Sequence, residues 1–227
     1  MSMLGKAALA MWWDVSPDVR QELEHWHVHE HVAERLSIEG FLRSSRWTDA
    51  SGGEGFFVMY ELRDHAVLAS TPYVARLNSP TPWSTKMMPF HRNMVRTQCE
   101  VVHSHGAVTA RHVLTIRCSP IEGQQEKLNL QLGALGESVS QLPGIVGLHV
   151  LRHQAPLMAA TTEQKIRGNA DRAADCIIVV CGYDLYALKN FGDEELSSAR
   201  LETLGAIAET NCQLFSLAYT AIPPDVH

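Results

Sequence analysis

Seven consecutive residues, His25-Trp26-His27-Val28-His29-Glu30-His31, concentrate four imidazoles, an indole and a carboxylate. At about 100° per residue in a helix, His25 and His29 share one face, and His27 and His31 share another. Trp26, Glu30 and Ala33 fall beside Val19 and Leu23 on the apolar stripe. A carboxylate on a buried stripe must find a partner or rise in pKa. One chemistry this allows is general acid/base work by Glu30 with His31 or His27, because desolvation moves a Glu pKa into a useful range. A second reading is structural: a helix-edge histidine cluster, with Glu30 satisfied by a neighbouring Arg or an indole N–H. A third is a metal, since His27 and His31 at i,i+4 can chelate one ion with Glu30 adding a ligand. The H-E-x-x-H pattern is absent, and twelve histidines make such a pair common by chance, so no metal ligand is assigned.

Other side chains could complete a pocket. A strand over 94–102 puts Arg96, Gln98 and Glu100 on one face, opposite Val95, Thr97, Cys99 and Val101. If that face is enclosed, Arg96 can hold an anionic substrate or pair with Glu30. Trp26, Arg43, Tyr73 and Trp83 are further substrate-binding candidates, aromatic walls with polar tips that equally suit an ordinary core. There is no Gly-x-Gly-x-x-Gly after a strand, no P-loop and no Gly-x-Ser-x-Gly, so no cofactor is expected.

These residues need elements to position them, and the chain carries the same unit twice. Ser16-Pro17 and Ser119-Pro120 lie 103 positions apart, and Gly40 and Gly144 lie 104 apart. Each pair brackets a helical stretch that follows a short apolar run. Strands are expected at 8–15, 41–48, 56–62 and 94–102, with helices at 17–37 and 65–77. The second half repeats the order with strands at 113–118, 146–152, 177–183 and 214–221 and helices at 122–141 and 197–211. Each half reads β-α-β-β-α-β, a ferredoxin-like unit. The fold class is therefore α+β, with repeats over 1–105 and 106–227 joined near 103–110. A four-stranded antiparallel sheet with helices on one face needs its other face covered. Two such sheets can pack as an α+β barrel, either within one chain or across a homodimer.

The two halves differ in two ways. A polar, small-residue-rich segment over 154–175 lengthens one strand connection and reads as a surface loop or a lid over a pocket. The helix matching the histidine cluster reads Gln124-Gln125-Glu126-Lys127-Leu128-Asn129-Leu130-Gln131-Leu132, with no aromatic and no histidine. A cluster that only one half carries points to function in that half. Gly133 and Gly136 inside the same helix read as close packing.

The 227 residues carry a formal charge of −6, with signs interspersed, so neither nucleic acid nor a membrane surface is an expected partner. No apolar run approaches the roughly 20 residues of a membrane span. Five cysteines without C-x-x-C spacing suit a reducing cytoplasm.

Trp26-His27-Val28-His29-Glu30-His31, followed nine residues later by Gly40-Phe41, resembles the first helix and second strand of EthD-like barrel proteins. The resemblance covers about the first hundred residues. It departs at His27, where an aromatic is usual, and at Glu39, where Pro is usual. It implies a dimeric α+β barrel fold and a cofactor-independent enzyme of isomerase, lyase or monooxygenase type acting on a small organic molecule. The same superfamily also contains non-catalytic binding barrels and, more distantly, haem proteins, which are the two alternative readings.

Overall fold

The computed structural model describes residues 2–139, 141–155, 161–168 and 173–226. The eight strands are β1 Ala7–Asp14, β2 Phe41–Asp49, β3 Gly55–Leu62, β4 Arg92–Gly106, β5 His112–Cys118, β6 Ile145–His153, β7 Cys176–Gly182 and β8 Asn211–Ala221. The helices are α1 Pro17–Trp26, α2 Val32–Leu36, α3 Thr71–Asn78, α4 Pro82–Met87, α5 Gln125–Val139, α6 Thr162–Arg167, α7 Leu185–Glu194 and α8 Ser198–Leu204. A π-helical turn, His27–His31, joins α1 to α2.

The strands form one closed antiparallel barrel in the order β1-β3-β2-β8-β5-β7-β6-β4. Each half contributes a ferredoxin-like sheet, β4-β1-β3-β2 and β8-β5-β7-β6. Edges pair across halves, β2 with β8 and β4 with β6, so closure occurs within one chain and leaves no unpaired sheet edge. β4 runs to Gly106, which shortens the expected link between halves to 107–111. Its first part pairs with β1 and its last part with β6.

Strand alternation decides what fills the barrel. Ala8, Ala10 and Trp12 point inward and Leu9, Met11 and Trp13 outward, towards the helices. Inside, Trp12 and Trp47 stack on Phe57 at 4.8 and 5.1 Å between ring centres, and Phe57 meets Phe215 at 5.9 Å. The Trp12 indole N–H donates to Thr115 Oγ1 at 3.1 Å, across the two halves. The interior holds these packed rings together with a buried Arg43–Glu61 ion pair. The helices cover the outer face of each half's sheet, and α6 crosses from the second half onto the first.

Gly40 and Gly144 occupy equivalent turns at φ +98° and +88°, a conformation that favours glycine. A Cβ on Gly40 would lie 2.5 Å from Val67 Cγ2. Other expectations shift. Pro120 bridges to Ala206 instead of opening a helix, and α5 begins five residues later. The second half carries α7, which the sequence reading passed over, ahead of a shorter α8. Gly133 and Gly136 do mark close packing, with Cβ positions 2.6 Å from the His103 and His105 rings.

Candidate active site

The helix carrying the histidine cluster is not uniformly α. Over His27–His31 the backbone widens to π, and the Val32 N–H bonds to the His27 carbonyl. Such turns insert a residue into the helix and often occur at functional sites. Here the turn sets His27 and His31 side by side, ring centres 5.6 Å apart, both buried and both facing the sheet. His25 and His29 pair on the solvent side at 4.6 Å, as the spacing predicts.

His27 and His31 line a cavity between the outer face of β1, β3 and β4 and the helices above it. Its floor is Leu9, Met11, Trp13 and Arg96, and its roof includes Arg35, Tyr73 and His91. The volume is about 30 Å³, room for one or two waters. The cavity thus lies outside the barrel, between its sheet and the helices. Arg96 faces the helices because it pairs with Met11, whose side chain points outward.

Several polar groups that face this cavity are unsatisfied. Both ring nitrogens of His27, Nδ1 of His31 and Nε1 of Trp13 are buried with no hydrogen-bond partner among the described residues. An unpaired buried polar group costs about 1–3 kcal/mol, and native proteins keep few of them. Together with the Tyr60 hydroxyl, these atoms gather around one cavity that has room for one or two waters. Burial holds the His27 pKa well below its ordinary value, and the charges of Arg46, His91 and Arg35 add to that. Burial, then Arg35 and His27, lower His31 in the same way. Both rings are neutral at physiological pH.

Arg35 is buried and donates to Glu34 Oε2 at 2.8 Å and to Glu163 Oε1 at 2.6 Å. Burial disfavours its cation, but Glu163, Tyr73 and Glu34 outweigh that and raise its pKa. Arg96 donates to the Tyr73 hydroxyl at 3.0 Å and has no carboxylate partner among the described residues. The Arg35 guanidinium lies 5.7 Å above the Tyr73 ring.

The expected residues divide into two groups. His27, His31, Arg96 and Tyr73 converge on the cavity. Glu30, Trp26, Trp83 and Arg43 do not line it. Glu30 Oε1 accepts from Trp26 Nε1 at 3.0 Å, Thr81 Oγ1 at 2.6 Å and Ser84 Oγ at 3.0 Å. That carboxylate clips the histidine helix to α4, and the indole N–H partner is the one a structural reading anticipates. Trp26 backs the site, its ring 4.6 Å from that of His31. Trp83 packs against His25 on the outer side of the helix. Arg43 is committed to Glu61 by two bonds of 2.6 and 2.8 Å.

Sequence reasoning missed Trp13, Arg35, His91 and Glu163. Arg35 follows His31 by four positions, so extending the helical face past the cluster would have found it. Glu163 carries no such signal. His31, Glu34 and Glu163 bring possible metal-donor atoms within 4.8 Å of one another. The Arg35 guanidinium already balances both carboxylates there. The 154–175 segment supplies α6, while residues 156–160 and 169–172 of that expected loop lie outside the described residues.

No protein-family model matches the chain. No curated protein matches it in sequence. Among solved structures, an anthrone oxidase-like protein is similar at TM-score 0.68 and 14% identity, over 96% of this chain and 93% of that one. A candidate monooxygenase from Fusobacterium nucleatum reaches 0.62 at 11% identity, over 97% and 96% of the two chains. Another from Lactobacillus acidophilus reaches 0.59 at 10%, over 96% and 97%. At these identities the likeness establishes a ferredoxin-like α+β barrel fold.

Proposed function

We propose that the cavity is the active site of a cofactor-independent enzyme. It takes a proton from a small, planar, partly apolar molecule, a phenol or an activated ketone, and holds the delocalised anion that forms. The observation that carries this is His27: neutral, buried, and with both ring nitrogens free. One nitrogen can accept the proton.

A histidine with a depressed pKa is a weak base, so the substrate must be made more acidic. Arg96, which has no carboxylate partner among the described residues, supplies the field for that. A charge pair at 4 Å is worth about 4 kcal/mol at an effective dielectric of 20, or roughly three pKa units on the substrate. Tyr73, whose oxygen accepts from Arg96, keeps its own O–H to donate to the anion. His31 presents a second free nitrogen for proton return.

The names of the similar structures favour oxygen as co-substrate. In that form, a CH₂ carbon loses a proton to His27 and the carbanion transfers its electrons to O₂. A C–O bond forms, and the peroxide anion takes the proton back from His27; loss of the second C–H proton to a His31 nitrogen then breaks the O–O bond, and the departing hydroxide takes up that proton as water, leaving a carbonyl at the carbon. The EthD-like sequence motif is compatible with the same chemistry.

Oxygen uptake with anthrone as substrate, in wild type and His27→Gln, tests the proposal. Loss of the base should lower kcat by about 10²–10⁴-fold. Equal turnover in the two proteins refutes it. A ligand bound and recovered unchanged would assign a non-catalytic binding barrel instead.

A further inference from the structure

The cavity is too small for the substrate just described, so some part of its wall must yield. Most of that wall belongs to the first half's own strands and helices. The part the second half contributes is α6, which arrives with Glu163 and Arg167 from the connection between β6 and β7. α6 is docked, not merely nearby. The Thr162 backbone N–H and hydroxyl meet Asn78 Oδ1 at 3.1 and 3.3 Å, and Ile166 packs on the first half's core.

Glu163 is unusual on such a segment. It is 2% exposed, sits 128 positions from Arg35, and is the one carboxylate lining the cavity among the described residues. Its Oε1 accepts from Arg35 Nη2 at 2.6 Å, and both residues line the cavity. If it withdrew, Arg35 would not be stranded, because Glu34 keeps the other arm of the guanidinium. A cation with one permanent and one removable carboxylate partner is a seat for an acid group.

We infer that Glu163 occupies the place of a substrate acid group. The natural substrate then carries a carboxylate or similar anion that displaces Glu163 from Arg35, while Arg96 faces the part of the molecule that becomes anionic in the reaction. This rests on the active-site reading above and narrows its substrate class to aromatic or alicyclic acids. It also assigns a role to the second half, which plugs the site when no acid is present.

The probes are 2-naphthoate and its neutral analogue 2-naphthamide, their binding followed by quenching of tryptophan fluorescence. Glu163→Gln removes the competing charge and keeps the size. It should bind 2-naphthoate about tenfold or more tightly than wild type does, the equivalent of one charge-assisted hydrogen bond, and change 2-naphthamide less than threefold. Ile166→Ala, which loosens α6 and leaves the carboxylate, should help both probes alike. Equal gains for acid and amide in Glu163→Gln would show a steric wall and overturn the inference. So would no gain for the acid, or no binding of either probe. If the acid binds as expected and no substrate turns over, the proton-transfer reading fails and the seat stands.

Discussion

Glu30 is the sharpest point at which a site residue and a structural residue can be told apart. Its carboxylate accepts from Trp26, Thr81 and Ser84 and sits outside the cavity. Glu30→Ala removes three charge-assisted bonds, each worth about 1.5–3 kcal/mol when fully buried. The loss is smaller than their sum. The Trp26 N–H retains Ser84 Oγ at 3.2 Å, and Glu30 is half-buried, so freed hydroxyls can reach water. The expected destabilisation is about 2–4 kcal/mol for Ala, and about 1–2 for Gln, which keeps an acceptor oxygen. For a chain of this size each kcal/mol lowers Tm by roughly 2–4 °C. Urea unfolding gives the stability, and oxygen uptake per folded molecule gives the activity. A clip predicts Glu30→Gln less stable but within about threefold of wild-type kcat, whereas an acid/base residue predicts a loss of about 10²-fold or more. A Glu30→Gln protein as stable as wild type and inactive would refute the clip and return the carboxylate to the chemistry.

Two further predictions concern the framework. His149 is buried, accepts from Ser104 Oγ through Nδ1 and donates to the Ala107 carbonyl, and burial pushes its pKa down to about 4. The unfolded chain protonates near 6.5, so stability is intact above that pH and falls as pH drops towards 4; by pH 5 wild type should lose about 2 kcal/mol more than His149→Gln in urea titrations, and parallel curves would refute this. Gly40→Ala meets both a positive φ and Val67, so it should cost about 2–4 kcal/mol, while Gly52→Ala, at φ +83° with open space around its Cβ, should cost about 1; equal losses would show that crowding by Val67 plays no part.

The barrel was legible because period-two alternation is a local property, and because two sheets with bare faces have few ways to cover them. The histidine cluster was legible because it breaks the composition of its own helix and has no counterpart in α5. What failed was angular and long-range. Counting about 100° per residue cannot reveal a π turn, which adds a residue without changing any residue type. Arg96 was expected on the face the barrel encloses, but it points outward and lines the cavity beneath the helices. Sequence alternation shows that it opposes Val95 and Thr97, not which face the barrel encloses. The large interior rings of Trp12, Trp47 and Phe57 settled that. Glu163 was invisible, since its partner lies 128 positions away and its own neighbours are polar and unremarkable. α7 was missed because Asn190 and Gly192 dilute its periodicity, although Gly192 is what lets it approach Leu114.

The two halves solve the same packing problem in opposite ways. In the second half, α5 lies on an aliphatic layer that includes Leu114, Ile116, Leu148, Val150 and Ile178. Where the layer would gape, His103 and His105 from the extended β4 fill it, and Gly133 and Gly136 leave room for their rings. In the first half, the equivalent helix opens into a π turn, and the space beneath it is ringed by imidazoles, an indole and guanidiniums. Left dry, the unpartnered buried groups there would cost several kcal/mol of hydrogen bonding, a large fraction of a typical domain's net stability, so the cavity calls for water or a ligand. Such a deficit is tolerated only where the rest of the molecule supplies a surplus. The closed eight-strand barrel and the aliphatic second half are where that surplus resides. A second copy of the site would add a second deficit while removing part of the reserve. Confining this polar cavity to one half keeps that cost from being incurred twice.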